Sequence, residues 1–514
     1  MQALRLITFG ALLFLTTPSI HAGEWLSFGG DPQRTFFAAG ETTLSRQNVQ
    51  SIHLQWDVKL DNPTREMHSL TAPIVASHVR TPAGPRDLIL VAGVADRVFV
   101  VDSDNGKVLW QKSFQIEAKP KQRPIWQCPN GITATPVIEH KGRDTTVHVI
   151  ASDGKLHSLN MMNGEDRAAP VQFIPAFAKS WSLNLVNGIL YTTLSQGCEG
   201  TKSGIYAMDL NDPKRPVTFF QSDSAGGGIW GRAGVAVNSD GLILAETGDG
   251  PYDPAAGKYA DTVLALSPKD LKVADYYTPA NRDWLTRRDL DIGNVTPAIF
   301  KFHQWELAAA GGKEGVIYLM DAKNLGGESH RLPLFRSPVY LNEGIDLAAN
   351  GFWGAFATME DAGIRWLYAP AWGPLHSKAP AFPVNYGAFK SGCIMAFKVE
   401  ERDGKPVLVP GWTSLDMRVP EPPIVANGLV FALESGEDVR QLNQEGRPWT
   451  SQQRAEASTH AVLHILDAAT GKELFSSGNT LKSFTHFGGI ALANGQVFVT
   501  TFDNHLYSFG LPPE

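Results

Sequence analysis

The chain has 514 residues and a formal net charge of −7, with 43% hydrophobic and 19% charged residues. This mild acidity argues against a nucleic-acid-binding surface, which requires a basic stripe. Glycine and tryptophan are plentiful, with 49 and 13 residues, a composition that suits many short strands joined by tight turns. No Pro/Ser-rich linker, charge run or long helical pattern divides the chain, which favours one large domain built from repeats.

The N-terminal segment has the features of an export signal. Arg5 supplies a positive charge, an apolar run follows over residues 6–15, and small residues begin at Ala22. The apolar run is far shorter than the roughly 20 residues that a membrane-spanning helix needs. We therefore expect residues 1–22 to be a cleaved signal peptide and residues 23–514 to form the mature domain. The protein is then periplasmic or secreted, with no membrane span.

One phrase recurs along the chain: an alternating apolar strand, an acidic or amide residue, and then a turn that usually contains glycine. Its eight copies begin at Val98, Leu156, Ile205, Val263, Ile317, Ile394, Val462 and Leu506. Alternation gives each strand one buried face, and Asp or Asn before Gly permits a tight turn. The copies recur every 40 to 80 residues or so, which is typical of four-stranded propeller blades with variable loops.

The two ends of the chain complement each other. The last copy, at Leu506, stops without its outgoing strand, whereas residues 51–60 form a strand-like run without a neighbour. Propellers often pair their ends in one blade, which hides exposed strand edges. The sequence therefore predicts an all-β fold: a single eight-bladed β-propeller of four-stranded antiparallel blades, closed by pairing of the N- and C-terminal strands. An open solenoid of shorter, more regular repeats is the alternative.

The three cysteines are Cys128, Cys198 and Cys393. Export permits a disulfide, and an odd number leaves at least one thiol unpaired within the monomer. Cys128 and Cys198 fall in or just before loops of neighbouring blades, so a disulfide between them and two buried free thiols both remain open. No Cys-x-x-Cys-His motif occurs, so we expect no covalently bound haem, and no Cys/His cluster has the spacing of a zinc site.

Three segments carry a family resemblance. "VDSDNGKVLW" at 101–110 and "LDAATGKELF" at 466–475 resemble the repeat of enzymes that use pyrroloquinoline quinone (PQQ). "WLSFGGDPQRTFFAAG" at 25–40 resembles the opening of the same family. The mature chain thus resembles the PQQ-like, or quinoprotein alcohol dehydrogenase-like, β-propeller repeat family, and reads most like a branch of undefined activity. The same propeller serves non-catalytic proteins, so activity must be argued from the site.

The resemblance also implies positions for a cofactor site. In the dehydrogenases of this family, PQQ stacks on a tryptophan in the central funnel beside calcium, and an aspartate is the general base. The resemblance implies that Trp230 stacks on PQQ, that Lys313 lies over the quinone, that Asp289 is the catalytic base, and that Glu199, Asp249 and Asp289 are calcium ligands. A structural role is the alternative for each, since aspartate is common in blade turns and tryptophan packs in every propeller.

The sequence also departs from the family pattern. The adjacent cysteine pair of those dehydrogenases is absent, and the arginine that follows that pair has no clear match near Cys128, where Asn130 offers no charge. "SLTAP" places Leu70 and Thr71 where the family has a glutamate. Asp291, which lies close to Asp289 in the sequence, is expected to be structural. These losses remove cofactor hydrogen bonds and one cation.

Two functions therefore remain open. The first is an exported oxidoreductase that binds PQQ and calcium and oxidises an alcohol or sugar hydroxyl as its small-molecule substrate. Its electrons would pass to a separate acceptor, since the chain has no haem motif. The second is a non-catalytic periplasmic or extracellular propeller, which acts as a binding or assembly scaffold for a protein partner. The missing cysteine pair and arginine favour the second.

Overall fold

The computed structural model describes residues 23–223, 227–344, 349–443 and 445–512. The predicted signal peptide, residues 1–22, lies outside the described residues. Within them the chain is nearly all β and folds as an eight-bladed β-propeller, as predicted. We number the blades in chain order.

In each blade the four main strands are antiparallel and pair in order from the first to the fourth. Blade 1 consists of Ile74–Thr81, Gly84–Gly93, Arg97–Asp102 and Val108–Ser113; blade 2 of Val137–Lys141, Asp144–Ile150, Lys155–Asn160 and Asp166–Gln172; blade 3 of Lys179–Ser180 with Asn184–Val186, then Ile189–Ser195, Ser203–Asp209 and Val217–Asp223; and blade 4 of Ala236–Val237, Ile243–Glu246, Val263–Leu266 and Val273–Tyr277.

The second half continues the pattern with longer insertions. Blade 5 consists of Ala298–Phe302, Trp305–Gly311, Ile317–Asp321 and Phe335–Arg336; blade 6 of Gly351–Phe352 with Ala357–Asp361, then Ile364–Trp372, Gly392–Arg402, Lys405–Thr413 and the parallel edge strand Val384–Asn385; blade 7 of Ile424–Ala426, Leu429–Glu434, Val462–Asp467 and Glu473–Ser476; and blade 8 of Ile490–Ala493, Gln496–Thr500, His505–Gly510 and His53–Lys59.

Short elements decorate the loops. They are the strand pairs Tyr252–Asp253 with Lys258–Tyr259 and Val295–Thr296 with Gly354–Ala355, the α-helices Arg282–Arg288 and Ser451–Ala457, and the 3-10 helices Val49–Ser51, Cys198–Gly200 and Pro254–Ala256. Within the described residues, no helix has the length and apolar character that crossing a bilayer would require.

Each copy of the sequence repeat corresponds to the third strand of a blade and the turn that follows it. The copy at Val98 becomes Arg97–Asp102, and the carboxylate of Asp102 accepts the backbone N–H of Asp104 at 2.9 Å. The last copy, His505–Gly510, takes its missing fourth strand from His53–Lys59, with Lys59 opposite His505. The predicted closure by the two chain ends is therefore confirmed.

Tryptophans of fourth strands join neighbouring blades. Trp110 of blade 1 lies against Gly164 in the repeat turn of blade 2, and its indole N–H donates to the carbonyl of Met161 at 2.9 Å. A Cβ on Gly164 would come within 2.8 Å of that ring, so only glycine permits this contact. Trp56 and Trp412 pack in the same way, which explains why the repeat keeps a glycine in its turn.

Candidate functional site

A cavity of about 390 Å³ lies on the propeller axis. Its walls come from two kinds of loop. Trp230 and Asn294 lie in loops that lead into the first strand of a blade, and Asp249 and Lys313 lie in loops that follow the second strand. Seven blades, 2 to 8, contribute to it, and only the axis is adjacent to all of them. The volume lies within the usual range of small-molecule sites.

The N-terminal segment crosses the axis beneath this cavity. Residues 25–38 form backbone hydrogen bonds with the second residue of the first strand in six blades, namely Val75, Ile138, Val237, Ile299, Thr358 and Val425. Buried Arg34 reaches blade 3 through the carbonyl of Leu183 at 2.8 Å. Arg232 contacts both the ring of Phe28 in this segment and that of Phe487 in the cavity wall. The segment therefore supports the floor of the cavity.

Two larger depressions lie elsewhere. One of about 690 Å³ lies beside blades 2 and 3 and contains Asp153 and Lys155. Another, of about 640 Å³, adjoins the axial cavity and shares Glu437 and Gln441 with it. In the described part of the chain, the cluster of three carboxylates that could hold a metal lies in the axial cavity, which we therefore take as the candidate site.

The structure brings four of the five implied site residues into this cavity. These are Trp230, Asp249, Asp289 and Lys313, and Asp291 joins them. The residues come from the segments around blades 4 and 5. Asp291, which we expected to be structural, thus lies in the site.

Glu199 is not among the residues that line the cavity. Its two carboxylate oxygens accept the backbone N–H groups of Lys121 and Gln122 at 2.8 and 2.9 Å. The residue has a positive φ of 55°, within the 3-10 turn Cys198–Gly200. The carboxylate therefore ties two loops together on this face, and its expected partnership with Asp249 and Asp289 is not present.

Asp249, Asp289 and Asp291 form an acidic cluster, in which one oxygen from each lies within 4.8 Å of the others. The ammonium of Lys313 lies 2.6 Å from Asp289 and 2.5 Å from Asp291. The Asp289 side chain is 30% exposed and that of Asp291 only 3%. Asp289 therefore faces the opening, while Asp291 lies beneath it.

The geometry of this cluster depends on a sharp turn and on glycine. Helix Arg282–Arg288 ends at Asp289, which has a left-handed conformation with φ 54° and turns the chain toward the axis. Gly248 packs so close that a Cβ there would lie 2.7 Å from a carboxylate oxygen of Asp291. A side chain at position 248 would displace the Asp291 carboxylate from its place in the cluster.

Crowding of like charges perturbs the cluster. Burial and the charges of Asp291, Asp261 and Asp289 raise the pKa of Asp249 to about 9. Burial lowers the pKa of Lys313, but the charges of Asp291 and Asp289 outweigh it and raise that pKa above its usual value. The raised pKa means that the Asp249 carboxyl holds its proton near neutral pH, and a cation bound by the three carboxylates would displace that proton.

Aromatic rings form much of the remaining wall, from Trp126, Trp230, Trp353, Trp372 and Phe487. Trp353 and Trp372 stack with their centroids 4.6 Å apart and an interplanar angle of 10°. The ammonium of Lys313 lies 5.6 Å from the Trp353 ring centre, so these rings border the acidic cluster. Flat apolar walls of this kind suit a planar ligand.

Sequence reasoning missed a second charged group in the cavity. Lys179 begins blade 3 and Arg454 lies in helix Ser451–Ala457, and both line the cavity while being only 2% and 3% exposed. Arg454 donates to Glu437 at 2.7 Å, and Nδ1 of His486 lies 2.9 Å from the other oxygen of Glu437. No local motif marks these residues; the only signal was the presence of Lys and Arg in loops that lead to the axis.

A disulfide joins Cys128 and Cys198, with their Cα atoms 5.6 Å apart. Of the two alternatives for these cysteines, the structure has the bonded one, and Cys393 is a buried free thiol. The disulfide lies beside the cavity, since Gln127 and Gln196 belong to its lining. It therefore fixes two wall segments that are 70 residues apart in the chain.

Comparisons with known proteins identify a similar family model and solved structures of similar fold. The family model described as "Outer membrane protein assembly factor BamB" matches residues 29–215. No curated protein matches the sequence.

Solved structures with the same fold include quinoprotein dehydrogenases. A europium-containing methanol dehydrogenase matches with a TM-score of 0.64 and 13% identity over 96% of this chain and 99% of that chain. Quinohemoprotein alcohol dehydrogenases from Pseudomonas putida HK5 (ADHIIG) and Comamonas testosteroni match with TM-scores of 0.61 and 0.57, both at 14% identity, over 95% and 96% of this chain and 80% and 81% of those chains. At this low sequence identity, the structural similarity shows a shared fold and nothing about activity. Together with the family model, it confirms the predicted resemblance to the PQQ-like β-propeller repeat family.

Proposed function

We propose that the protein is an exported, quinoprotein-like oxidoreductase that binds PQQ and a calcium-type cation in the axial cavity and oxidises an alcohol or sugar hydroxyl. The observation that carries this proposal is the convergence of Trp230, Asp249, Asp289 and Lys313 on one cavity. Had these residues been scattered around the rim, the dehydrogenase interpretation would have failed.

The acidic cluster fits a hard cation. Two oxygens bound to one calcium ion at about 2.3–2.6 Å lie at most about 5 Å apart. The oxygens of Asp249, Asp289 and Asp291 satisfy that limit, since they lie within 4.8 Å of one another. A bound cation would relieve the repulsion that raises the pKa of Asp249. We assign the cation to these three carboxylates.

The aromatic walls fit a planar cofactor. Trp230 and Phe487 belong to the lining, and Trp181 contacts both rings at centroid distances of 6.4 and 5.4 Å. The indole of Trp230 is held close to Gly228, where a Cβ would lie 2.5 Å from its ring nitrogen. A ring fixed in this way offers a preorganised stacking surface at little entropic cost.

The chemistry then divides between cofactor and protein. PQQ, held against Trp230 and beside Lys313, would supply a quinone able to accept a hydride from the alcohol carbon. Lys313 pairs with two carboxylates, and Asp289 is the more exposed of the two. Asp289 therefore accepts the hydroxyl proton of the substrate. Lys313 stays charged because its pKa is raised, and it orients Asp289 from a distance of 2.6 Å. Electrons leave through a separate acceptor.

Export is part of the same proposal. The basic residue and apolar run within residues 1–22 support a cleaved signal peptide and a periplasmic or secreted location. N-terminal sequencing of the protein recovered from the periplasm or medium should begin near Gly23. A full-length N-terminus in the cytoplasmic fraction would refute export.

Calorimetric titration with PQQ tests the cofactor site. We expect binding in calcium chloride, weaker binding after chelation of calcium, and a loss of at least about tenfold in affinity in Trp230→Ala, because the stacking surface is removed. Tyr386→Ala, at an exposed aromatic residue on the edge of blade 6, is the matched control and should bind normally. Absence of binding at high micromolar PQQ would overturn the proposal. A dye-reduction screen with alcohols and sugars would then identify the substrate.

A second candidate function is a protein-binding scaffold. The family model with the description of an outer-membrane assembly factor favours it, as do exposed apolar side chains in the insertion between the second and third strands of blade 6, Leu375, Val384 and Tyr386. A purified partner whose affinity falls in Tyr386→Asp, but not in Lys301→Asp on blade 5, would support it. Equal affinity for both variants would exclude this surface.

A further inference from the structure

The basic side of the axial cavity has unused hydrogen-bonding capacity. Lys179 is 2% exposed, lines the cavity, and has no hydrogen-bond or ion-pair partner among the described residues. Its ammonium lies 5.3 Å from the ring centre of Trp181 and 5.4 Å from that of Phe487. A buried ammonium with three unused donors is unfavourable unless a ligand accepts from it.

Arg454 contributes a second donor to the same side. Its Nη2 donates to Glu437 at 2.7 Å and its Nε to the carbonyl of Asp438 at 3.0 Å. Its Nη1, in contrast, is buried without a partner in the described part of the chain. The guanidinium lies 4.3 Å from the ring centre of Trp126, which fixes its plane. Arg454 therefore offers an oriented N–H to the cavity.

The charges on this side do not cancel. Glu437 is the acidic group beside Lys179 and Arg454, and its two carboxylate oxygens are already hydrogen-bonded to Arg454 and His486. Burial, opposed by Arg454, raises the pKa of Glu437 to about 7. Burial and neighbouring cations lower the pKa values of His68 and His486 well below their usual value, so both are neutral. Net positive charge thus faces the cavity.

We propose that Lys179 and Arg454 form an anion site that holds a carboxylate of the ligand in the axial cavity. The cavity then has two poles, an acidic one for a cation and a basic one for a carboxylate, joined by aromatic walls. PQQ carries three carboxylates, so the cofactor is one source of the anion, and a carboxylated substrate is the other. The first source depends on the proposed function and the second does not.

Lys179 and Arg454 also replace a charge that the sequence lacks. The dehydrogenases that the chain resembles place an arginine after a cysteine pair, and that arginine has no clear match near Cys128. Here the cations come from blades 3 and 7 instead. Arginine and lysine are the usual partners of carboxylates, and buried charge-assisted hydrogen bonds are the strong ones.

The first test compares PQQ with its trimethyl ester, which keeps the ring system and lacks the negative charges. In Lys179→Met we expect the affinity for PQQ to fall about 10- to 100-fold, the loss of one charge-assisted hydrogen bond. The affinity for the ester should change by less than about twofold. Lys301→Met, at an exposed lysine of blade 5, should leave both affinities unchanged.

The second test uses the unaltered protein, so it does not depend on how the variant folds. Limited acetylation with acetic anhydride, followed by mass spectrometry, measures the reactivity of Lys179 relative to Lys301. Burial and Arg454, opposed by Glu437, lower the pKa of Lys179 to about 7, so the free amine is available at pH 8. We expect PQQ, and isophthalate as a planar dicarboxylate without a quinone, to protect Lys179 and not Lys301.

The outcomes separate the two proposals. If PQQ fails to bind but isophthalate protects Lys179, the anion site stands and the cofactor assignment falls. If PQQ binds equally well to Lys179→Met and leaves Lys179 reactive, the cofactor assignment stands and the anion site is wrong. If neither compound protects Lys179, the anion site is wrong for both sources.

Discussion

The two poles of the axial cavity are built in different ways. The acidic pole comes from residues close in sequence, since Asp289 and Asp291 lie on one loop and Lys313 follows one hairpin later. The basic pole joins Lys179 of blade 3 to Arg454 in an insertion of blade 7. At the acidic pole three carboxylates exceed the one lysine that pairs with them, whereas at the basic pole the Lys179 ammonium has no hydrogen-bond or ion-pair partner within the described residues.

This difference shows what each pole needs from a ligand. The acidic pole is stabilised internally by Lys313 and would exchange part of that pairing for a cation. The basic pole is only half satisfied, because Glu437 accepts a hydrogen bond from Arg454, whereas the Lys179 ammonium donates none to the residues that the structure describes. We therefore expect substitutions at the acidic pole to act mainly on catalysis and those at the basic pole mainly on stability and affinity.

The largest expected effect is that of Asp289→Asn on turnover. Asparagine keeps an oxygen for the cation and for Lys313 but accepts no proton, so the dye-linked rate should fall by about 10²- to 10⁴-fold. Affinity for PQQ should change far less. The control is Asp283→Asn, at an exposed carboxylate on the preceding helix. Equal rates in Asp289→Asn and wild type would remove Asp289 from the catalytic role.

Arg454→Met should have the largest effect on stability. It leaves Glu437 buried without its cation, so we expect the free energy of unfolding to fall by about 3 kcal/mol. Equilibrium urea unfolding followed by tryptophan fluorescence measures this loss. Arg440→Met is the control, since Arg440 pairs with Asp438 while its side chain is 58% exposed, and should cost less than about 1 kcal/mol. Similar losses in both variants would contradict the distinction between buried and exposed pairs.

The smallest expected effect is on the pH dependence of stability. The folded-state pKa of Lys179 is about 7 and its ordinary value is 10.5, so between pH 7 and 9 the unfolded chain binds more protons. The contribution of Lys179 to the free energy of unfolding therefore rises from pH 7 to pH 9. Between pH 7 and 9 we expect the free energy of unfolding of the wild type to increase by about 2 kcal/mol more than that of Lys179→Met. Parallel pH profiles for the two proteins would show that Lys179 titrates normally.

The blades could be predicted from the sequence because strands and turns are specified by residues that are close together in the chain. The copy at Val98 predicted a strand and a turn within 13 residues, and Arg97–Asp102 with Val108–Ser113 confirms both. The closing strand was also predictable, since a strand-like run near the N-terminus matched the strand missing after Leu506. Alternation and turn chemistry act over a few residues, so one sequence displays them.

The contents of the cavity were only partly predictable. Family motifs identified Trp230, Asp249 and Lys313, because each occupies a fixed place just before or after a strand. The same reasoning chose Glu199, whose carboxylate instead binds the backbone of a neighbouring loop. Glu199 lies three positions from Gln196 of the cavity wall, and loop packing, which the motif does not encode, decides where its side chain goes.

The sequence by itself therefore determined the blades, their number and their closure, and it identified two of the three acidic residues of the cavity, Asp249 and Asp289. Only the tertiary structure decided that Cys128 bonds Cys198, that Asp291 joins the acidic cluster, and that Lys179 meets Arg454. The physical reason is that strand periodicity is written in neighbouring residues. A propeller axis, in contrast, collects one or two side chains from each of many distant loops, and buried charges have no local pattern until those loops converge.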